Sequence, residues 1–411
     1  MNSKLIATTL LSATAATVLF YPYIKTLGAV TPAIDPVVSP IVTPIVTPII
    51  TQPIVQERPI VEVVFVLDTT GSMGGLIQAA KDKIWSIAST MAAAQPTPDI
   101  RVGLVAYRDR GDDYITRVVD LSDDLDSMYA TLMDFTADGG GDGPEDVNRA
   151  LYDAVHNISW SQDPDAYQVV FLVGDAPPHM DYQGEMQYPE ILAHASKRGI
   201  VVNTIQCGTM PQTTPAWQRM AHLSQGRYFQ VEQAGSAVAI VTPFDENIAR
   251  LSAELDDTRL YYGDKAAKEK GSRKRAATET LQALSSTASL ARRGAFNVSA
   301  AGATNLLGEN ELVDAVTSGR VDLDDIDTDA LPESMQAMAP EAQRAMIEKT
   351  AGKREQLRQE IAELSKKRDG YLESEVAAAG DVEASLDYKI YAAVKEQAEE
   401  KGLVLEAGPK Y

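Results

Sequence analysis

The chain has 411 residues, 45% of them hydrophobic, enough for two or three domains with at least one packed core, which excludes a wholly disordered polymer. Acidic residues outnumber basic ones by 58 to 37, and a net charge of −21 repels a phosphate backbone, so nucleic acid is not an expected partner while cations are attracted. A single cysteine, Cys207, excludes an internal disulfide and any multi-cysteine metal site.

Residues 1–29 open with Lys4 ahead of an uncharged run from Leu5 to Phe20, closed by Lys25. That is the layout of a secretory signal or signal anchor, short for a span that needs roughly 20 apolar residues. An exported protein is expected, periplasmic, cell-surface or secreted, with membrane anchoring through the N-terminus if the signal is retained. Residues 30–60 repeat proline about every fourth position, "SPIV TPIV TPII TQPIV". Each proline removes a donor and biases its predecessor towards extended backbone, so a polyproline-like stalk is predicted.

Over residues 61–260 the pattern changes to alternation. "VEVVFVL", "IRVGLVAY", "YQVVFLVG" and "IVVNTIQCG" are continuous runs of the kind that parallel strands covered on both faces require. "YITRVVDL" reads as a short edge strand and "GRYFQV" as a last one. The stretches "LIQAAKDKIWSIASTMAAA", "PEDVNRALYDAVHNI", "YPEILAHASKRG" and "PAWQRMAHLS" between them have helical spacing. The expected fold class is α/β, a doubly wound, mostly parallel sheet, with ligand chemistry at the carboxyl ends of the strands, where Asp68 and Asp175 stand. Residues 261–411 are expected to be mainly helical. There a basic cluster, Lys265 to Arg275, reads as a solvated helix face, and Ile347, Leu357, Ile361 and Leu364 fit one face of a helical hairpin or short coiled coil able to self-associate.

The turn after the first strand reads Asp68-Thr69-Thr70-Gly71-Ser72. A phosphoaspartyl enzyme needs a second carboxylate at the position of Thr70, which cannot transfer the proton. An aspartic protease needs Asp-Thr-Gly twice, whereas the extra threonine breaks the motif and no second copy follows. A phosphate-binding loop needs a Gly-Lys-Ser/Thr that is absent. Oxygen ligation remains: Asp68, Thr70 and Ser72 offer three hard oxygens at the head of a helix, suited to magnesium or manganese.

Here the chain resembles the von Willebrand factor type A domain, whose metal-ion-dependent adhesion site (MIDAS) uses Asp-x-Ser/Thr-x-Ser after the first strand; the match falls on Asp68, Thr70 and Ser72. The resemblance covers nearly half the chain, and its "DTTGSM" and "GGGDGPE" stretches are similar to those of bacterial and alpha-kinase-associated members. It implies a Rossmann-like fold and a further ligand at Asp175, in "VVFLVGDAPP". The family usually adds a threonine from a glycine-rich loop, but here that loop reads "DGGGDGPEDVNRAL", so the position falls on Glu145 counting back from the helix or on Asp142 counting forward. Either carboxylate would raise affinity for a divalent cation, Mg2+ first and Mn2+ or Ca2+ next, and weaken the pull on an acidic ligand.

The resemblance implies a non-enzymatic binding or adhesion protein whose cation is completed by an Asp or Glu side chain from a protein partner. Its alternatives are an assembly or chaperone-like partner of an ATPase complex and, remotely, an Asp68-dependent hydrolase. Asp109 is a candidate for contact behind the ion, His179 and Asp181 for its rim, and Cys207 for a buried apolar position. Arg110-Gly111-Asp112 matches a tripeptide that adhesion receptors read, a match that chance readily supplies.

Overall fold

The structure, a computed structural model, describes residues 58–141, 143–232, 240–379, 386–405 and 408. The signal-like segment expected over residues 1–29, residues 30–57 of the proline-rich stalk expected over 30–60, and Asp142 lie outside the described residues; Ile60, at the end of the expected stalk, begins β1. Among the described residues no helix is long and apolar enough to cross a membrane.

The strands are β1 (Ile60–Asp68), β2 (Asp99–Tyr107), β3 (Thr116–Ser122), β4 (Tyr167–Gly174), β5 (Val201–Cys207) and β6 (Tyr228–Val231). They pair in the order β3-β2-β1-β4-β5-β6, all parallel except β3, which runs antiparallel at the edge. Helix α1 (Gly74–Ala92) follows β1; α2 (Leu125–Met133) and α3 (Val147–His156) lie between β3 and β4. The crossovers after β4 and β5 are α4 (Tyr188–Lys197) and α5 (Thr213–Leu223). This is the doubly wound sheet expected from the alternation.

Both faces are covered, which is why β1 reads as an unbroken apolar run. Val61, Val63, Phe65 and Leu67 enter one core with Trp85, Met91 and Leu104, whereas Val64 and Val66 enter the other with Val105, Leu151 and Ile191. The acid in that run, Glu62, is fully buried and accepts from Ser161 N at 2.9 Å and Gln168 Nε2 at 2.9 Å. Cys207 is buried as expected.

Helix α2 is not among the elements expected from sequence, although Leu125, Met128, Tyr129 and Leu132 follow helical spacing and Asp124 caps it by accepting from Ser127 N at 3.2 Å. Beyond β6 come α6 (Asp245–Asp256), α7 (Lys265–Leu284), α8 (Thr287–Val298), α9 (Ala303–Leu307), α10 (Leu312–Thr317), α11 (Glu333–Gln336), α12 (Pro340–Ala379) and α13 (Leu386–Glu399). Helix α6 packs with this group, its Ile248, Leu251 and Leu255 meeting Ala291, Leu357 and Ile361. The apolar face of α12 is thereby used inside the chain, with Ile347 in a neighbouring cluster beside Leu312 and Met335. This differs from the hairpin or coiled coil expected there.

The helices after residue 244 join the α/β part in one compact unit from residue 57 onward. Phe296 of α8 lies 5.8 Å from the Trp85 ring on α1, and Gln397 of α13 accepts from Tyr167 Oη at 2.8 Å. At the centre Arg293 of α8, 1% exposed, donates from Nε to Asp126 of α2 at 2.7 Å and from Nη1 to Asp256 of α6 at 2.7 Å. The guanidinium holds the Asp126 carboxyl far below its ordinary range against the cost of burial. The basic cluster is only partly a solvated face: Lys274 is 4% exposed with Nζ 2.6 Å from Asp124 Oδ1.

Removing one member of such a network strands the rest. Arg293→Ala leaves Asp126 and Asp256 buried without their hydrogen-bonded cation, with only Lys274 at 4.0 Å and Arg259 at 3.6 Å in its place, and a loss of about 3–5 kcal/mol is expected in denaturant unfolding. A loss under about 1 kcal/mol contradicts this account of how the helices are tied down.

Candidate metal centre

In the sheet register Asp68 stands beside Tyr107, and Leu67 beside Val173, so the loops leaving β1, β2 and β4 emerge together where the chain order reverses. Asp68 ends β1 with no exposed surface. Its Oδ1 accepts from Thr70 N at 2.9 Å and from Thr70 Oγ1 at 2.6 Å, which fixes the carboxylate. Thr70 Oγ1 lies 3.4 Å from Ser72 Oγ, and the turn passes through Gly71–Met73 into α1. Asp68 Oδ2 is buried with no hydrogen-bond partner.

Asp175 follows β4 directly. Its carbonyl accepts from Thr213 Oγ1 at 2.7 Å, and the next carbonyl, of Ala176, accepts from Trp217 Nε1 at 3.0 Å. Gly174 sits where a Cβ would lie 2.5 Å from Tyr107 Oη and 3.0 Å from Asp68 Oδ2, so only glycine lets this strand end approach the site.

The glycine-rich loop forms the third wall. Gly71 N donates to Gly139 O at 3.2 Å and Asp138 N to Thr69 O at 3.1 Å, while Arg108 straps the two loops from Nε to Thr69 O at 3.1 Å and from Nη2 to Thr136 O at 2.8 Å. Gly139 has φ +78°, and a Cβ there would lie 2.4 Å from Asp112 Oδ1. Glu145 is 4% exposed, its N–H donating to Pro177 O at 3.0 Å and its carbonyl accepting from His179 N at 3.1 Å. A Cβ on Gly140 would meet Thr70 Cβ at 3.3 Å and Glu145 Oε1 at 3.4 Å, which places the glutamate beside the turn. Its Oε2 is buried without a hydrogen-bond partner.

Burial and the accumulation of like charge set the electrostatics. Burial pushes Asp68 up to about 7, with the Asp175 charge adding to the rise against the lowering by the Thr70 hydroxyl and backbone and by the Asp175 backbone. Burial pushes Glu145 up to about 9, with Asp68, Asp109, Asp112 and Asp175 contributing. The Tyr107 hydroxyl is raised by burial and then by Asp68, Glu145 and Asp175. Two orphaned carboxylate oxygens in a focus of negative charge fit a divalent cation bound through hard oxygens. Among the described residues no three His, Cys, Asp or Glu side chains come together as a metal-binding group. The oxygens that the fold brings together at the turn are the Asp68 carboxylate, the Thr70 hydroxyl bonded to it and the Ser72 hydroxyl 3.4 Å further on, with Glu145 alongside.

The rim is more ordered than the sequence suggests. Asp109 accepts from Tyr182 Oη at 2.8 and 2.9 Å and lies 3.5 Å from His179 Nε2, whose Nδ1 is 2.9 Å from Asp181. Arg110 stacks 3.8 Å over the Tyr182 ring and pairs with Asp146 at 3.2 Å and Glu185 at 3.2 Å. Asp112 accepts from Gly140 N at 3.1 Å. Both charged members of the Arg110-Gly111-Asp112 triplet are thus engaged within the fold. Tyr107, Arg108 and Tyr182 are not among the residues singled out in the sequence, since each acts through a partner distant along the chain.

A mostly parallel sheet with a hydroxyl-and-carboxylate turn at its switch point is a Rossmann-like arrangement. Residues 62–243 match the von Willebrand factor A domain, and the chain carries a domain of that family. It is similar to the alpha-protein kinase vwkA of Dictyostelium discoideum, 30% identical over 121 residues (29% of this chain, 19% of that protein). It is also similar to an ariadne-like RING finger protein of Acanthamoeba polyphaga mimivirus, 27% identical over 128 residues (30% of this chain, 12% of that protein). The chain therefore spans a small part of the length of the curated relatives it matches. Among solved structures it is similar to the von Willebrand factor type A protein from Catenulispora acidiphila (18% identity, 44% of this chain, 40% of that chain, TM-score 0.34). Another is proximal thread matrix protein 1 from the mussel byssus with a zinc-occupied MIDAS motif (15% identity, 42% of each chain, TM-score 0.33).

Folded Asp68 and Glu145 hold protons that the unfolded chain has released, so the cation-free protein loses stability as pH rises from 3.8 through about 7, and further as Glu145 titrates up to about 9. Bound magnesium needs the deprotonated carboxylate and relieves the repulsion. In thermal unfolding scans, the gain in midpoint on adding magnesium should be larger near pH 8 than near pH 5. An equal gain at both contradicts the charge balance described.

Proposed function

We propose that the protein is an exported, non-enzymatic binding protein that recognises an acidic side chain of a protein partner through a divalent cation, magnesium first, at Asp68, Thr70, Ser72 and Asp175. The observation that carries the reading is the orphaned, fully buried Asp68 Oδ2 beside a carboxylate already oriented by Thr70. The family match over 62–243 supports the type of site. The cation supplies, when bound, a Lewis-acid position for the partner's carboxylate.

Each residue of the chain has a separate part. Thr70 holds Asp68 in one rotamer, the Thr213 and Trp217 bonds fix the Asp175 loop, and the strap from Arg108 closes the glycine-rich loop over the turn. Glu145 adds negative charge beside Thr70, which favours the cation and tempers its pull on an incoming acid. Against a hydrolase stands Thr70 Oγ1, whose proton is donated to Asp68 at 2.6 Å and which has no acid-base range at neutral pH. The uncharged run from Leu5 to Phe20 supports the export part of the proposal.

Calorimetric titration of magnesium, manganese and calcium into the wild type and Asp68→Ala tests the site. Saturable binding in the wild type, weakened at least about a hundredfold in the variant, is expected. Equal heats from both proteins sink the proposal. Retention of export after deletion of residues 2–20 would sink its localisation half.

A further inference from the structure

Away from the carboxylate cluster lies a cleft of about 380 Å³ between α1 of the type A domain and α8 and α12 of the helical region. Its volume falls in the range of small-molecule pockets. Three of its side chains are cationic, Arg292, Lys366 and Arg368, against one acid, Asp369. Counting Asp245, which pairs with Arg368, the cleft still carries three cations against two acids in a chain of net charge −21.

The cations are built into the wall as well as the surface. Arg292 is 4% exposed and Arg368 2% exposed, the latter held by Asp245 at 2.7 Å, while Lys366 stands exposed at the mouth. Two serines sharpen the picture. Helical hydroxyls elsewhere bond back to the carbonyl four residues earlier, as Thr90 does to Ser86 at 2.9 Å and Thr350 to Met346 at 2.8 Å. Ser89 Oγ and Ser365 Oγ are buried and make no hydrogen bond, and Ser365 is only 9% exposed. Both line the cleft. An unsatisfied buried hydroxyl is costly, a cost that a hydrogen-bonding occupant removes. Phe296, Ala362 and Val298 supply an apolar floor.

We propose that this cleft binds a small organic oxyanion, a phosphate or carboxylate group carried on a compact apolar body, with the charged head between the arginines and Lys366 and hydrogen-bonded by Ser89 and Ser365. Guanidinium groups match the flat, divided charge of an oxyanion, and hydroxyl donors complete it. The apolar wall gives the remainder of the molecule a place that inorganic phosphate would leave empty. Because the cleft joins the type A domain to the helices, its occupant would touch both.

The full chain, titrated separately with phenylphosphonate, benzoate and inorganic phosphate and followed by ligand NMR, tests the site. Phenylphosphonate or benzoate should bind in the millimolar range or tighter and inorganic phosphate more weakly; Lys366→Glu should weaken the aromatic probe about tenfold and Ser365→Ala by a smaller factor. Lys353→Glu, on an exposed stretch of the same helix outside the cleft, makes the same charge change and should leave binding intact. Stronger binding of phenylphosphonate than benzoate assigns a phosphate-type head, and the reverse a carboxylate. Absence of binding by both aromatic probes, inorganic phosphate binding as tightly as they do, binding unchanged in both cleft variants, or equal weakening by Lys353→Glu overturns the proposal.

Discussion

The structure is organised around a carboxylate that the fold buries without a counter-charge. Asp68 has no exposed surface, one of its oxygens is held by Thr70, and the other has no hydrogen-bond partner. Taking such a group out of water is costly unless it is neutralised. A proton can do this, as the rise of Asp68 to about 7 reflects, and so can a divalent ion. The loops around it make sense as a frame for that choice: Gly174 and the glycine-rich loop bring backbone close, and Glu145 adds a second carboxyl that burial and its neighbours raise to about 9.

A second constraint ties the rest of the chain to this frame. Arg293 sits between Asp126 on α2 and Asp256 on α6, so the helical region is locked to the helix that precedes the glycine-rich loop. Buried ion pairs of this kind add less to stability than their geometry suggests, yet their loss is expensive, which makes them devices of position. The helices after residue 244 therefore form part of the platform that holds the loops, and α12 uses its apolar face inward at Leu357 and Ile361.

The sheet was legible because each parallel strand must be apolar on both faces, a requirement that leaves continuous runs such as Val63 to Leu67 and lets Asp68 mark the end. The juxtaposition at the turn was legible because spacing there is local: Thr70 Oγ1 donates to Asp68 and lies 3.4 Å from Ser72 Oγ. What lay beyond reach were pairings across the chain. Nothing near Arg293 or Lys274 in sequence tells that each is buried against an acid of α2 or its cap, and the basic cluster therefore reads as solvent-facing. Helix α2 carried a usable signal in Leu125, Met128, Tyr129 and Leu132, obscured by its short length between two loops. For the loop carboxylate, counting back from the helix leads to Glu145, which is buried beside Thr70; Asp142 is outside the described residues.

The central claim is that one divalent ion replaces a proton at Asp68. A crystal structure grown with manganese, with data collected at its absorption edge, tests this most directly. The expected result is a single anomalous peak about 2.0–2.3 Å from a carboxylate oxygen of Asp68, within ligand distance of the hydroxyls of Thr70 and Ser72 or linked to them and to Asp175 through ordered water. A strand end with no peak, or a peak bound only by exposed acids elsewhere, would contradict it.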